Sequence, residues 1–197
     1  NFSPRLETSM KEVQGEGYHA IFPSGNPDSK IMIVGEAPGR ASQGIKDQDK
    51  EKSFGMGSGV LLDEMLTSIG LNRDKVWVTN IIKCNTPKDI NENTWTKEEL
   101  KENELFLLQE FKILEPRIII TLGKLASDYF LKSTFTEWKF GEKYTKINYT
   151  LTNVIYKKYY VFPLKHPAYI QRNMNLLEDY KQLWLKIKMT IAELNLT

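Results

Sequence analysis

The feature that most constrains this chain is a set of short apolar runs, each closed by a polar or glycine-rich turn. Ile31-Met32-Ile33-Val34 is apolar at every position. A strand hides both faces only when helices cover it on each side, so the run predicts the middle of a parallel sheet. Val76-Trp77-Val78-Thr79-Asn80-Ile81-Ile82, residues 117–122 and residues 159–164 repeat the pattern. Helical spacing fills the intervals between them. Leu62, Met65, Leu66 and Ile69 share one stripe, and Gly70-Leu71 offers a left-handed cap with its apolar contact. Thr96-Lys97-Glu98-Glu99 is a capping box opening a helix with Leu100, Leu107, Leu108, Phe111 and Leu114 inward, stopped by Pro116. Gly123-Lys124 leads into a short helix ending near Leu131, and Leu176, Tyr180, Leu183, Trp184 and Ile187 mark a final one. The alternation predicts an α/β protein, a three-layer α/β/α sandwich around a central, mostly parallel four-stranded sheet.

Three stretches fall outside that pattern. Residues 1–29 read as a helical or extended lead-in followed by turns, residues 40–52 as an exposed polar loop, and residues 132–158 as a peripheral hairpin. No repeat or low-complexity tract is present. A chain of 197 residues with no shift in composition is expected to form one domain over 1–197 with a substantial core.

Composition excludes several classes of function. A net charge of +2 gives no global basic field, so any contact with nucleic acid has to be local. One cysteine, Cys84, cannot close an internal disulfide or build a cysteine-held zinc or iron-sulfur site, and it fits a reducing compartment. The sequence has neither an apolar run of about 18 residues nor a signal-peptide pattern at its start, so a soluble intracellular protein with no membrane partner is expected. Gly55-Met56-Gly57-Ser58-Gly59 does not directly follow a strand and lacks the spacing of a dinucleotide fingerprint. Lys124 has no phosphate-cradling glycine loop before it, and Gly57-Ser58-Gly59 lacks the spacing of a nucleophile elbow.

Ligands of open α/β sheets bind beyond the carboxyl ends of the strands. Here those ends deliver residues 36–39, Asn80, Gly123-Lys124 and His166-Pro167-Ala168. Three of the segments, Val34-Gly35-Glu36-Ala37-Pro38-Gly39, Thr79-Asn80-Ile81-Ile82-Lys83-Cys84 and His166-Pro167-Ala168-Tyr169-Ile170-Gln171-Arg172-Asn173, resemble the signatures of family 4 uracil-DNA glycosylases, in the same order. Phe54, followed by Gly59 and Leu61-Leu62, resembles that family's Phe-containing segment, and the likeness runs from about Phe22 to Ile187.

The resemblance implies a monofunctional DNA repair enzyme that flips uracil from single- or double-stranded DNA and hydrolyses its N-glycosidic bond, acting as a monomer in the cytoplasm or with the DNA. A non-catalytic uracil or damage reader of the same fold is the alternative. A base inside a duplex must be extruded before chemistry, and stacking and edge contacts then offset the cost. Phe54 is the candidate stacking face. Asn80 matches uracil by donating to O4 and accepting from N3-H, a pattern that cytosine reverses. His166 is implied as the donor to O2, where charge collects as the bond breaks. Ala37 and Gly39 line the substrate side, and Glu36 is the candidate for positioning water. Pro38, Gly123, Lys124, Pro167, Ala168 and Arg172 are candidate DNA contacts, their small side chains and helix starts admitting phosphates. Ile170 and Gln171 fall where the family carries a wedge into the base stack.

The sequence also departs from the family. Its usual iron-sulfur cluster needs four cysteines, whereas counting puts Glu102 at the fourth position, Thr8 and Lys11 near the two N-terminal ones, and only Cys84 in place. No cofactor and no metal are expected. The acid usually found a few positions after Gly39 is replaced by Ser42, with Asp47, Asp49 or Glu51 as possible substitutes within a longer loop. Asp89-Ile90 stands where the family has Asn-Arg.

Overall fold

The computed structural model describes residues 19–38, 54, 57–85, 97–150 and 155–196. In chain order the strands are β1 (His19–Ala20), β2 (Ser24–Gly25), β3 (Ile31–Gly35), β4 (Trp77–Asn80), β5 (Cys84–Asn85), β6 (Ile118–Leu122), β7 (Tyr144–Thr150) and β8 (Ile155–Leu164). The helices are α1 (Ser58–Ser68), α2 (Lys97–Leu114), α3 (Lys124–Leu131), α4 (Pro167–Arg172) and α5 (Leu177–Glu193).

Among the described residues the main sheet has six strands, in the order β2-β4-β3-β6-β8-β7. Its middle, β4-β3-β6-β8, is parallel throughout and is built from the four apolar runs expected to form it. The expected strand number therefore holds for the parallel core and is too small for the whole sheet. β2 adds antiparallel to β4, within a segment read as turns, and β7 adds antiparallel to β8. The expected hairpin exists, but its second strand runs on into the last core strand. β1 and β5 form a separate antiparallel ribbon.

Alternation along the strands explains the two-sided core, since successive side chains point to opposite faces. Ile31, Ile33, Val78, Ile118, Ile120 and Phe162 join the buried cluster that holds Leu62 and Leu66 of α1 and Trp184 and Ile187 of α5. Met32, Val34, Trp77, Ile119 and Val161 join the other, with Leu107 and Leu114 of α2 and Phe130 and Leu131 of α3. Leu108 was expected inward but is 50% exposed. Leu107 and Leu114, two turns apart, take the inward line, and the next residue lies about 100° further round the helix.

The cap of α1 forms as its sequence requires. Gly70 takes φ 82°, its N–H donates to Thr67 O at 3.0 Å, and the N–H of buried Leu71 donates to Leu66 O at 2.9 Å. This paired bonding satisfies carbonyls that a helix end otherwise leaves bare. The capping Thr96 lies outside the described residues, as does the loop 40–52.

A charged network under β4 had no counterpart in the sequence reading. Lys83 and Glu110 are both buried and form an ion pair. Trp77 Nε1 donates to Glu110 at 3.0 Å, Lys83 Nζ donates to Thr79 Oγ1 at 2.6 Å, and the Lys83 N–H donates to Asn103 Oδ1 at 2.7 Å. Burial pushes the Lys83 ammonium below its ordinary pKa, opposed by the Glu110 charge and hydrogen bond. The network fastens the chain just after β4 to α2, on the sheet face that Trp77 and Thr79 share.

Candidate active site

Chain order moves from β3 to β4 on one side and then to β6 on the other, so the sheet's switch point lies beside β3. At the end of that strand stands Gly35, paired in register with Asn80 at the end of β4. A Cβ added to Gly35 would lie 2.3 Å from Asn80 Oδ1 and 2.5 Å from Phe54 Cζ. The missing side chain lets a buried amide and an aromatic ring close over one point. Backbone bonds from Ile81 N to Gly35 O (3.0 Å) and from Ile82 N to Glu36 O (2.9 Å) hold the two strand ends together beyond the regular ladder.

His166 approaches from the end of β8. Its ring stacks on Phe54, with centroids 5.6 Å apart and planes 28° apart. It is also the N-cap of α4, where Nδ1 accepts the Ala168 N–H at 3.2 Å and Pro167 occupies the first turn. An Nδ1 that accepts cannot carry the proton, so the neutral ring holds its hydrogen on Nε2. Burial lowers the imidazole pKa to about 4, with the nearby Arg172 charge adding to the effect. The ring is therefore neutral at physiological pH. Gly123, whose φ of 97° favours glycine, lies beside it beyond β6, where a Cβ would stand 3.6 Å from His166 Cβ in ordinary contact.

Thus Asn80 and Phe54 meet over Gly35 and His166 stacks on Phe54, with Glu36, Ala37 and Pro38 half-buried on the loop that follows. Gly39, Asp47, Asp49 and Glu51 lie outside the described residues. Sequence reasoning quoted Gly35 inside a motif without giving it a part. The available signal was a glycine closing an all-apolar strand run.

The candidate DNA contacts fare unevenly. Lys124 is exposed, though it pairs with Asp128 at 2.6 Å, and Arg172 is exposed at the end of α4. The expectation that the turns at Gly123 and Ala168 offer their own N–H groups to phosphate needs correction. Gly123 N donates to Leu164 O at 2.8 Å, and Ala168 N is committed to His166. Pro167 is buried, so its ring faces protein. Ile170 is 1% exposed and packs in the core, which removes it as a wedge. Its helical neighbour Tyr169 is 43% exposed, with Lys165 Nζ 5.0 Å above its ring, and Gln171 donates to Gly57 O at 3.2 Å.

A four-thiolate cluster does not fit this donor set, because Cys84 is the chain's one cysteine. Among the described residues no group of three or more His, Cys, Asp or Glu side chains is placed to hold a metal ion. None of the described helices is long and apolar enough to cross a membrane.

The chain is a doubly wound α/β protein with an amide, an aromatic ring and a neutral imidazole at the strand ends beside its switch point. This chain belongs to the uracil DNA glycosylase superfamily, whose family model matches residues 22–188. It is similar to a type-4 uracil-DNA glycosylase of Sulfurisphaera tokodaii, with 34% identity over 182 residues, covering 87% of this chain and 72% of that protein. Type-4 uracil-DNA glycosylases of Archaeoglobus fulgidus (33%, 83% of this chain and 77% of the relative) and Thermotoga maritima (32%, 83% and 81%) are similarly related.

Proposed function

We propose that this chain is a DNA repair glycosylase that takes uracil out of the strand and hydrolyses its N-glycosidic bond, leaving an abasic site. The observation that carries the reading is the cluster in which Asn80 and Phe54 close over Gly35 and His166 stacks on Phe54. Each supplies something uracil excision needs. The Phe54 ring stacks on the extruded base, a contact worth roughly 1–3 kcal/mol. The Asn80 amide donates to O4 and accepts from N3-H, and meets two mismatches with cytosine.

His166 serves the bond-breaking step. As the bond from C1′ to N1 breaks, the electron pair leaves with uracil and charge gathers at O2, while the sugar becomes cation-like. The Nε2–H of His166 donates to that oxygen, and a preorganised donor of this kind contributes about 3 kcal/mol in comparable sites. Water then forms the new bond to C1′, with Glu36 as its positioning group and proton acceptor. Arg172, Lys124 and Pro38 contact phosphates of the strand, Ala37 and Gly39 line the substrate side, and the enzyme works as a monomeric single domain on single- or double-stranded DNA.

Incubation with uracil-containing oligonucleotides, followed by alkali, tests the proposal. Strand scission dependent on both Asn80 and His166 is expected. Binding without scission would reduce the site to a reader of uracil, and intact strands with no binding would refute the proposal.

A further inference from the structure

Phe54 has left-handed backbone, φ 59°, which is unfavourable for a bulky side chain and persists only where surrounding structure enforces it. One contact holds it and one glycine makes room for it. Arg73 Nη2 donates to the Phe54 carbonyl at 2.8 Å, and Gly59, in the first turn of α1, lies so close that a Cβ there would stand 1.9 Å from the same oxygen. Arg73 is itself anchored at both ends. Its Nε donates to Asp63 Oδ1 at 2.5 Å on α1. Its backbone begins the short turn Arg73–Lys75, capped by Asn72, whose side chain accepts from Asp74 N at 3.1 Å. Gly25 of β2 leaves room for the Arg73 carbonyl, which a Cβ at Gly25 would approach to 2.9 Å.

We propose that Arg73 is a positioning residue for base recognition: its guanidinium, gripped by Asp63, fixes the Phe54 carbonyl and so aims the Phe54 ring at Asn80 and His166. The planar fork suits this task because different nitrogens of one rigid group hold the two acceptors. A lysine offers a single nitrogen on a flexible stem and cannot hold both in the same geometry. The proposal rests on the reading of Phe54 as the stacking face.

A double-mutant cycle tests it, with kcat/KM on a uracil-containing single-stranded oligonucleotide and the inhibition constant of free uracil as readouts. Stacking worth a few kcal/mol corresponds to roughly 5- to 150-fold, so Phe54→Ala is expected to fall in that range. Arg73→Met is expected to lower kcat/KM and weaken uracil inhibition together, on the order of tenfold, since small misplacements of reacting groups cost that much or more. Arg73→Lys should restore little of either. In the Phe54→Ala background, Arg73→Met is expected to cost less than about twofold, because coupled residues are non-additive. A merely structural arginine would cost the same in both backgrounds, and that result, or an Arg73→Met enzyme with unchanged kinetics, overturns the proposal. If Phe54→Ala is silent, the stacking reading fails and this inference falls with it; a costly Phe54→Ala with an additive Arg73→Met removes only the role of Arg73. Should Arg73→Met fail to fold, Asp63→Asn, at an exposed carboxylate, loosens the same guanidinium and is expected to give a loss of about threefold that vanishes with Phe54→Ala.

Discussion

His166 makes a quantitative link between burial and chemistry that acid titration exposes. Its imidazole has a folded-state pKa of about 4 against an ordinary 6.5, because burial penalises the cation and Arg172 repels it. As pH falls, the unfolded chain takes up a proton on this ring first, so the contribution is fully present above about pH 6.5 and is lost as pH drops towards 4. The displacement corresponds to ~3 kcal/mol. His166→Asn supplies the control. Asparagine does not titrate, and it is a good N-cap that keeps an acceptor for Ala168 N. Denaturant unfolding of both proteins from pH 7.5 to 4 should show the parent losing about 3 kcal/mol more than the variant. The same neutrality sets the acid limb of kcat near pH 4, since protonating Nδ1 would oppose two donors at the α4 cap. The chain has only two histidines, so NMR titration with the variant as reference assigns the resonance directly. A midpoint at 6.5 or above, a proton resident on Nδ1, or parallel stability curves would refute the reasoning.

Three further outcomes follow from the same contacts. Gly35→Ala drives a methyl into Asn80 Oδ1 and the Phe54 ring; kcat/KM for uracil excision should fall by at least tenfold while unfolding free energy drops only about 1–3 kcal/mol, the usual cost of overpacking. Asn80→Asp removes the amide donor to O4 and supplies only acceptors, so the preference for uracil over cytosine should shrink by on the order of 100-fold in competition assays. Glu110→Gln strips the buried Lys83 of its counter-charge and should cost about 3–5 kcal/mol in urea unfolding, with Lys83→Met in the same chain recovering part of it.

The local order of the chain was legible from residue spacing alone. Apolar runs without polar alternation marked the four parallel strands, because only doubly covered strands tolerate them, and Gly70-Leu71 marked the end of α1 by its backbone chemistry. The resemblance named Asn80 and His166 as candidates, and both stand at or just beyond the carboxyl ends of parallel strands, where such sheets bind ligands. What needed the tertiary structure were the choices among long-range partners. β2 and β7 became edge strands, Leu108 lost the inward line to its neighbour, and Ile170 turned into the core while Tyr169 faced out. The N–H groups of Gly123 and Ala168 were already taken by Leu164 and His166. Arg73 and Phe54 are 19 positions apart, and Lys83 and Glu110 meet only across β4 and α2, so no local pattern encodes either contact. Periodicity fixes which face of an element is apolar, whereas the burial of a charge or the aim of a ring depends on which distant atoms arrive beside it.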